Sequence, residues 1–372
     1  MKLRSIVPDP IARHPWGVIL PLTLLVLFGA TVLYSVAGNS LRPYALSHFT
    51  RYLVFLVMAL VLSMFRRDLF KLASYPIYAT VLVLLVLVEL IGGIGGGSQR
   101  WLNLGFMTLQ PSELMKPVIV LVLARFFSDL PPSMTKEVKA LLPAAVLVLL
   151  PVGFVAIQPD LGTALAITFG AGVVIFLSGL PLSWFVGGGL AAAFAAPIAF
   201  FTVLHTYQQQ RVLVFLNPEA DPQHTGYHIL QSYIAIGSGG FFGKGFGKGS
   251  QSALGYLPEA HTDFAFATMA EQWGMAGGVF VLGIFAVILR WGMNVSRRAP
   301  DRFAQLLAAG MTCTIFFYVA INLMMVMGLA PVVGIPLPFV SHGGSSMMTN
   351  MICIGTIMAV ERWSNTGNRA LS

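Results

Sequence analysis

The stretch from Gly255 to Gly274 reads GYLPEAHTDFAFATMAEQWG and leads a polar cluster, His261-Thr262-Asp263, directly into an apolar helix. Charge is expensive in hydrocarbon, so an ionisable group at the mouth of a membrane helix is a candidate functional residue with a partner or ligand beside it. Asp263 is therefore the residue around which we look for a site.

The composition of the whole chain indicates a membrane protein. Of the 372 residues, 56% are hydrophobic and 10% are charged, and the mean hydropathy is +0.80. Soluble globular chains carry about 25% charged residues, so we expect one integral membrane domain, residues 1–372. Cys313 and Cys353 both lie in apolar runs, which argues against a disulfide framework or a thiolate metal site. The net charge of +8 is spread over loops and lacks the aromatic interleaving of a nucleic-acid-binding surface, so no nucleic-acid partner is expected.

Ten apolar runs have the length of about 17–25 residues that a spanning helix needs. The sequence thus predicts an all-α polytopic membrane protein with about ten transmembrane helices and one long extracytoplasmic loop, residues 205–262, between helices 7 and 8. The first run is of full spanning length and lacks a small-residue cleavage site, so we expect a membrane helix there instead of a cleaved signal peptide. The runs are 16–36, 49–65, 74–94, 111–128, 140–157, 160–180, 182–204, 263–290, 303–328 and 341–361.

Positive charge predicts the orientation of these helices. Most of the 22 lysines and arginines lie on the side of the two termini, and loops rich in these residues stay in the cytoplasm. Both termini are therefore expected in the cytoplasm, and the even-numbered helices are expected to begin at the outer face.

Four of these outer helix starts are polar. Helix N-termini present unpaired N–H groups and a positive dipole end, which favour phosphate. The starts supply four candidate substrate-binding residues: Asp160, His261, Ser341 and Ser345. For any single start, helix capping by Ser, Asp or Pro is the simpler interpretation.

Glu113 and Lys116 do not fit simple capping. They are three residues apart, hence on one helix face, and the lysine lies a turn deeper than a cap requires. This placement indicates a lined cavity. The glycine-rich exit of the third helix, residues 92–97, brings Arg100 and Trp101 to the same outer interface. Tryptophan is common at membrane interfaces, so Trp101 could equally be a simple membrane anchor.

The long loop carries two further patterns. Residues 226–237, GYHILQSYIAIG, predict a short interfacial helix. Residues 239–249, GGFFGKGFGKG, lack the spacing of a Walker phosphate-binding loop and indicate a flexible segment that could bring Lys244 and Lys248 to a phosphate.

Five motifs together resemble the SEDS family (shape, elongation, division and sporulation), in order and over nearly all of the chain. The segment GLAPVVGIPLPFVS, residues 328–341, and the short tails resemble the elongation branch of the family more than the division branch. The motifs are GSQRWLNLGFMTLQPSELMK (97–116), QPDLGTAL (158–165), NPEADPQHTGYHILQSYIAIGSGG (217–240), LPEAHTDFAFA (257–267) and PLPFVSHGGSS (336–346).

The resemblance implies a ten-helix peptidoglycan glycosyltransferase in the bacterial cytoplasmic membrane. Such enzymes polymerise lipid II, the undecaprenyl-pyrophosphate disaccharide-pentapeptide, with a class B penicillin-binding protein and other elongation-complex membrane proteins as partners. By position, Asp263 matches the family's essential acid, Glu113 and Lys116 match its QPSE..K acid and lysine, and Arg100 with Trp101 matches its RW pair. Two residues depart from the family pattern: His342 replaces a usual Tyr, and Gln272 replaces a common second acid.

The chemistry that this implies is an inverting transfer. Asp263 could be the base that deprotonates the acceptor hydroxyl. It could instead bind a divalent cation, Mg²⁺ or Mn²⁺, together with Glu113, and the sequence leaves these two roles open. Lys116, Arg100 and Arg211 would hold the pyrophosphate. Two other classes of function also stay open: a lipid II flippase and a non-catalytic scaffold of the wall-synthesis complex.

Overall fold

The computed structural model describes residues 15–91, 93–95, 98–103, 108–131, 134, 137–202, 206–217, 225–257 and 259–370. In these residues, each of the ten predicted runs coincides with one long helix, which confirms the predicted fold class. The helix starts differ most at the second and third runs, where the helices begin at Tyr44 and Arg67. The elements are α1 Trp16–Val36, α2 Tyr44–Ser63, α3 Arg67–Ile91, β1 Gly93–Gly95, β2 Ser98–Asn103, β3 Thr108–Leu109, α4 Pro111–Asp129, α5 Val138–Ile157, α6 Leu161–Leu177, α7 Leu182–Thr202, α8 Thr206–Leu216, α9 Thr225–Gly239, α10 Ser250–Ala253, α11 Ala265–Arg297, α12 Arg302–Val326 and α13 Gly344–Ala370.

Length and hydropathy distinguish two of the ten long helices from the others. Within the described ranges, seven helices are long and apolar enough to cross a membrane, namely α1, α2, α3, α5, α7, α11 and α12, and α6 is apolar but shorter. The other two, α4 and α13, carry more polar side chains. Most of the α4 side chains are buried against neighbouring helices, so this helix meets protein instead of lipid and tolerates polar residues.

Close backbone contacts fix α13 in the bundle. A Cβ atom added at Gly29 of α1 would lie 2.7 Å from Val340 Cα, just before α13, and one added at Gly355 of α13 would lie 2.9 Å from Ala59 Cα of α2. Small residues let membrane helices approach this closely. The turn before α13 is thereby held against α1, and the middle of α13 against α2.

The segment before α4 differs from the expected hinge-like exit. It forms a small antiparallel sheet, β1-β2-β3, in which Trp101 of β2 lies opposite Gly93 of β1. Gly92, Gly96 and Gly97 of the predicted exit lie outside the described residues. Glycine runs disfavour strands by propensity, which explains why the sequence did not indicate this sheet.

The long loop between α7 and α11 is also more ordered than a connector. It contains α8, α9 and α10. The helix predicted at residues 226–237 is confirmed as α9, and its interfacial position stays a prediction. One of its faces is buried: Ser232 is fully buried and its hydroxyl donates to the Val326 carbonyl at 2.8 Å. α9 therefore packs on the bundle and closes it over the end of α12.

Candidate functional site

Asp263 lies two residues before α11, at the end of the bundle where α2, α4, α6, α11 and α13 begin, which we name the entrance face. Its side chain is partly exposed. The amide of Asn322, on α12, donates to the Asp263 carbonyl at 3.0 Å and to the Ile335 carbonyl at 2.7 Å. One buried side chain thus ties the start of α11 to the segment that leads into α13.

The surroundings of Asp263 favour its protonated form. Burial raises the pKa of the carboxyl group from 3.8 to about 6, the negative charge of Glu259 raises the pKa further, and the positive charge of Arg211 lowers it. A carboxylate with such a pKa is mostly ionised at neutral pH and still accepts a proton readily. This is the property that a general base needs.

Arg211 joins the site from α8. Its guanidinium donates to the Val332 carbonyl at 3.0 Å, and its charge acts on the Asp263 carboxylate. The sequence-based expectation that Arg211 holds the pyrophosphate stays a prediction. The segment 331–335 is therefore held from two sides, by Arg211 and by Asn322.

His261 and His342 bring the starts of α2, α11 and α13 together. The His261 ring stacks on Tyr44 with 4.3 Å between centroids, and its carbonyl accepts from the His342 backbone at 2.8 Å. The His342 Nε2 atom lies 3.2 Å from a guanidinium nitrogen of Arg51. Burial, then the charges of Arg51 and His261, lower the pKa of His342 to about 4, so this ring is neutral at neutral pH.

Glu113 and Lys116 form a closed cluster with Tyr318 of α12. The Lys116 ammonium donates to Glu113 Oε1 at 2.6 Å and to the Tyr318 hydroxyl at 2.7 Å, and the Tyr318 hydroxyl donates to Glu113 Oε2. The Lys116 side chain is 0% exposed and that of Glu113 is 9% exposed. The one-face placement of the pair is confirmed. The expected lined cavity is a wrong prediction. The buried Tyr318 side chain lies against the pair, and its hydroxyl is hydrogen-bonded to both Lys116 and Glu113.

Asp160 and Arg100 make structural contacts at the adjoining corner. Asp160 is buried, caps α6 by accepting from the Thr163 backbone at 3.1 Å, and accepts from the Gln110 amide at 2.9 Å. Arg100 donates to the carbonyls of Gln158 and Pro159. Trp101 is partly buried in β2. For Asp160 the capping interpretation describes the geometry, and the substrate-binding roles of Arg100 and Trp101 stay predictions.

The two serines before and in α13 differ from each other. Ser341 is buried, and its hydroxyl accepts from the Leu337 backbone at 3.0 Å within the turn. Ser345 is buried, and among the described residues its hydroxyl has no hydrogen-bond partner. Ser341 therefore shapes the turn with its hydroxyl oxygen, whereas the Ser345 hydroxyl is not used by the described residues.

The site fits a divalent cation only in part. Among the described residues, no group of three His, Cys, Asp or Glu side chains lies close enough to hold a metal ion. Glu113 is unsuited as a ligand because a lysine ammonium already binds its carboxylate and would repel a cation. Asp263 has the oxygen chemistry that Mg²⁺ and Mn²⁺ prefer, so a cation there stays a prediction.

The sequence analysis missed Tyr318 and Asn322, which connect the two acids. They are four residues apart on α12, hence on one helix face, and both are buried. Tyr318 binds the Glu113 cluster and Asn322 binds the Asp263 backbone. A buried Tyr and Asn one turn apart in an apolar run was the signal that could have identified them.

Known proteins match this chain over nearly its whole length. Residues 16–366 match the family model of the FtsW, RodA and SpoVE cell cycle proteins. A peptidoglycan glycosyltransferase of Escherichia coli, MrdB, is 39% identical over 95% of this chain and 94% of its own.

Two solved structures share the fold. One belongs to a study of the coordination of polymerization and crosslinking by a peptidoglycan synthase complex; it is 31% identical, covers 94% of this chain and 98% of its own, and has a TM-score of 0.82. The other is the rod shape determining protein RodA of Thermus thermophilus, 30% identical over 94% of this chain and 97% of its own, with a TM-score of 0.68. The family match and these likenesses agree with the entrance-face motifs, and the chain therefore belongs to the FtsW/RodA/SpoVE family, the SEDS family.

Proposed function

We propose that this chain polymerises lipid II into glycan strands on the outer face of the bacterial cytoplasmic membrane during cell elongation, with Asp263 as general base. The chain is a peptidoglycan glycosyltransferase, the activity for which its relatives are named. The observation that carries the proposal is the Asp263 carboxylate, a partly exposed acid at the mouth of α11 whose pKa is raised to about 6 by burial, against the lowering effect of the Arg211 charge.

The reaction we propose is a single displacement with inversion. Asp263 accepts the proton of the acceptor sugar's hydroxyl group as that oxygen forms a bond to the anomeric carbon of the donor. The bond from this carbon to the pyrophosphate oxygen breaks, and undecaprenyl pyrophosphate leaves with the electron pair. The α-linked donor thereby gives a β-1,4 linkage.

The leaving pyrophosphate needs positive charge. The positive charge of Arg211 acts on the Asp263 carboxyl group, and we propose that its guanidinium stabilises the charge that develops on the leaving group. Arg51 lies against His342 at the same face. Lys116 is committed to Glu113 and Tyr318, so we propose that it supports the site through α12 and Asn322.

The orientation and the partners belong to this proposal. With both termini in the cytoplasm, the entrance face is the outer face, where lipid II would be polymerised. A class B penicillin-binding protein and further elongation-complex membrane proteins would be its partners. The positive charge of the terminus-side loops supports the orientation, and the similarity to a chain from a peptidoglycan synthase complex supports the partner.

The direct test is polymerisation of labelled lipid II by purified protein carrying Asp263→Asn. General base catalysis contributes roughly 10²–10⁴-fold, so we expect a rate loss of at least about 100-fold in a protein that stays folded. Asp129→Asn is the matched control, because this carboxylate lies at the other end of α4, bonded to Arg125. Glycan chains at near wild-type rate from Asp263→Asn would refute the assignment. Lipid II translocation in vesicles without polymer would favour a flippase.

Base and cation-ligand roles of Asp263 separate in the same assay. A proton and a divalent cation compete for one carboxylate. Raising the Mn²⁺ or Mg²⁺ concentration would therefore move the acid limb of the pH–rate profile to lower pH if Asp263 binds the cation. A limb that does not move assigns the carboxylate to proton transfer alone.

A further inference from the structure

The helix α11 is interrupted at Gly274, whose φ is 63° and ψ is −160°. A Cβ atom at this residue would lie 2.4 Å from the Gly243 nitrogen and 2.6 Å from the Phe241 oxygen. Both the positive φ and the lack of space require glycine here. The interruption divides α11 into an outer segment, residues 265–273, and a longer segment that continues through the bundle.

The residues from Gly240 to Gly249, which we name the brace loop, pack into this interruption. The loop's amides donate to carbonyls before the break, and its carbonyls accept from amides after it. These hydrogen bonds supply partners for the backbone groups that an interrupted helix leaves open. The bonds are Lys244 N to Glu271 O at 2.9 Å, Gly245 N to Gln272 O at 3.1 Å, Met275 N to Gly240 O at 2.9 Å and Ala276 N to Phe241 O at 3.0 Å.

A buried carboxylate locks the brace loop to the outer segment. The Glu271 side chain is 0% exposed. Its Oε1 atom accepts from the Lys244 ammonium at 2.7 Å, the Ser250 hydroxyl at 3.0 Å and the Gln251 backbone at 3.1 Å. A charge buried this deeply is costly unless it is paired and hydrogen-bonded. The pairing makes the position of the outer segment depend on the brace loop.

Asp263 lies two residues before the other end of the outer segment. The segment is nine residues long, about 14 Å at 1.5 Å per residue. Asn322 holds the Asp263 end through the backbone, and Glu271 holds the opposite end through the brace loop. The side chains from Ala265 to Gln272 are buried in the bundle, and the two attachments hold the two ends of this short helix, and with them the place of the Asp263 carboxylate.

We propose that Glu271 and Lys244 are positioning residues for Asp263, which fix the outer segment of α11 and so aim the carboxylate at the acceptor hydroxyl. The inference rests on the proposed function of Asp263. Neither side chain touches the reacting atoms; both act through the helix that carries the base.

Breaking the ion pair between Glu271 and Lys244, which we name the lock, has two expected effects. Misplacing a catalytic group by about 1 Å lowers the rate up to about 100-fold, so kcat falls while KM for lipid II stays near its wild-type value. Water also gains access to the Asp263 carboxyl group, and the acid limb of the pH profile moves to lower pH. Glu259 and Arg211, the charged groups that face Asp263, stay in place.

The test compares Glu271→Gln, Lys244→Met and the double variant with wild type in the lipid II assay. The double variant removes both charges of the pair, so it leaves no buried unpaired charge and folds even if a single variant does not. We expect all three to lose about 10-fold to 100-fold in kcat with the lowered acid limb. Lys244→Arg keeps the positive charge, so its kcat should be close to that of wild type and above that of Lys244→Met. The matched control is Glu361→Gln, a carboxylate that accepts from Trp291 at 3.2 Å near the end of α13.

Two outcomes contradict the proposal. A folded double variant with wild-type kcat and an unmoved acid limb would show that the lock does not aim the base. A loss of kcat that follows only a lower unfolding temperature, with the acid limb unmoved, would assign the lock to stability. Either result leaves an inactive Asp263→Asn intact as support for the proposed function, so the two proposals fail separately.

Discussion

Three helices of the entrance face carry an acid at their start, and the structure treats two of these acids, Glu113 and Asp263, differently. Glu113 of α4 is buried, and both its oxygens are bonded, to Lys116 and to Tyr318. Asp263 before α11 is partly exposed, and what holds it is its backbone carbonyl. A polar residue at a helix start therefore does not reveal its role by type. What distinguishes the two is whether partners within the fold already use the charge.

The largest expected effect comes from opening the closed cluster. Lys116→Met leaves the Glu113 carboxylate buried without its counter-charge, which costs about 3–5 kcal/mol of unfolding free energy. Thermal unfolding in detergent measures this loss. Lys71→Met is the control, because Lys71 is partly exposed and lies 4.0 Å from the Asp129 carboxylate, and such a surface pair contributes about 0–1 kcal/mol.

The double variant Lys116→Met, Glu113→Gln sharpens the same comparison. It removes both buried charges, so we expect it to recover most of the lost stability. Retained lipid II polymerisation would then show that Glu113 and Lys116 have a structural role in the site. Lost polymerisation in a folded double variant would show that Glu113 and Lys116 take part in the reaction. Equal stability of Lys116→Met and Lys71→Met would contradict the closed cluster itself.

A smaller effect is expected at a third helix start, that of α13. Ser341→Ala removes the acceptor of the buried Leu337 amide, which costs about 1–3 kcal/mol. Ser345→Ala removes a buried hydroxyl with no partner among the described residues, so its unfolding temperature should match or exceed that of wild type. If Ser345 binds substrate, KM for lipid II rises in this variant. A lower unfolding temperature for Ser345→Ala than for Ser341→Ala would reverse the assignment.

The smallest effect concerns the titration of Asp263 by its two charged neighbours. Glu259 raises the pKa of this carboxyl group and Arg211 lowers it. Glu259→Gln should therefore move the acid limb of kcat/KM to lower pH, and Arg211→Gln should move it to higher pH. A limb that moves in the same direction in both variants would show that another group titrates.

The same pKa fixes the sign of a stability effect. Its value of about 6 in the folded protein, against 3.8 ordinarily, means that protonated Asp263 favours the folded state. This contribution is complete below pH 3.8 and is lost as the pH rises to about 6. Asp263→Asn, which cannot ionise, should thus raise the unfolding temperature above pH 6 relative to wild type, whereas the catalytic rate falls.

Hydropathy was sufficient to predict the ten helices, because the bilayer sets one length for every spanning segment. Spacing was sufficient to place Glu113 and Lys116 on one helix face. It could not identify Tyr318, which lies 205 residues from Glu113, because a contact between distant helices has no local pattern. The open cavity was therefore expected where an aromatic side chain fills the space.

The brace loop shows a second limit. Its lysines, Lys244 and Lys248, were expected to reach a phosphate, and the sequence analysis assigned Gly274 no role. Their relation appears only when the loop enters the break in α11, where Gly243 and Gly274 meet. Backbone hydrogen bonds carry this contact, and backbone groups are the same in every residue. Glycine is required where the two segments meet, but a glycine alone does not indicate which segment approaches it.

The helix α7 differs from the rest of the bundle in that none of its side chains in the described residues is buried. Its described neighbours touch it near its two ends, where Phe176 meets Phe185 and the Gln209 amide donates to the Phe200 carbonyl. Acyl chains would therefore be its main surroundings. The helix α7 leads towards α8, which carries Arg211, so a change in bilayer thickness that moves α7 would also affect Arg211. The polymerisation rate should therefore differ between detergent and bilayers, and between bilayers of different acyl length.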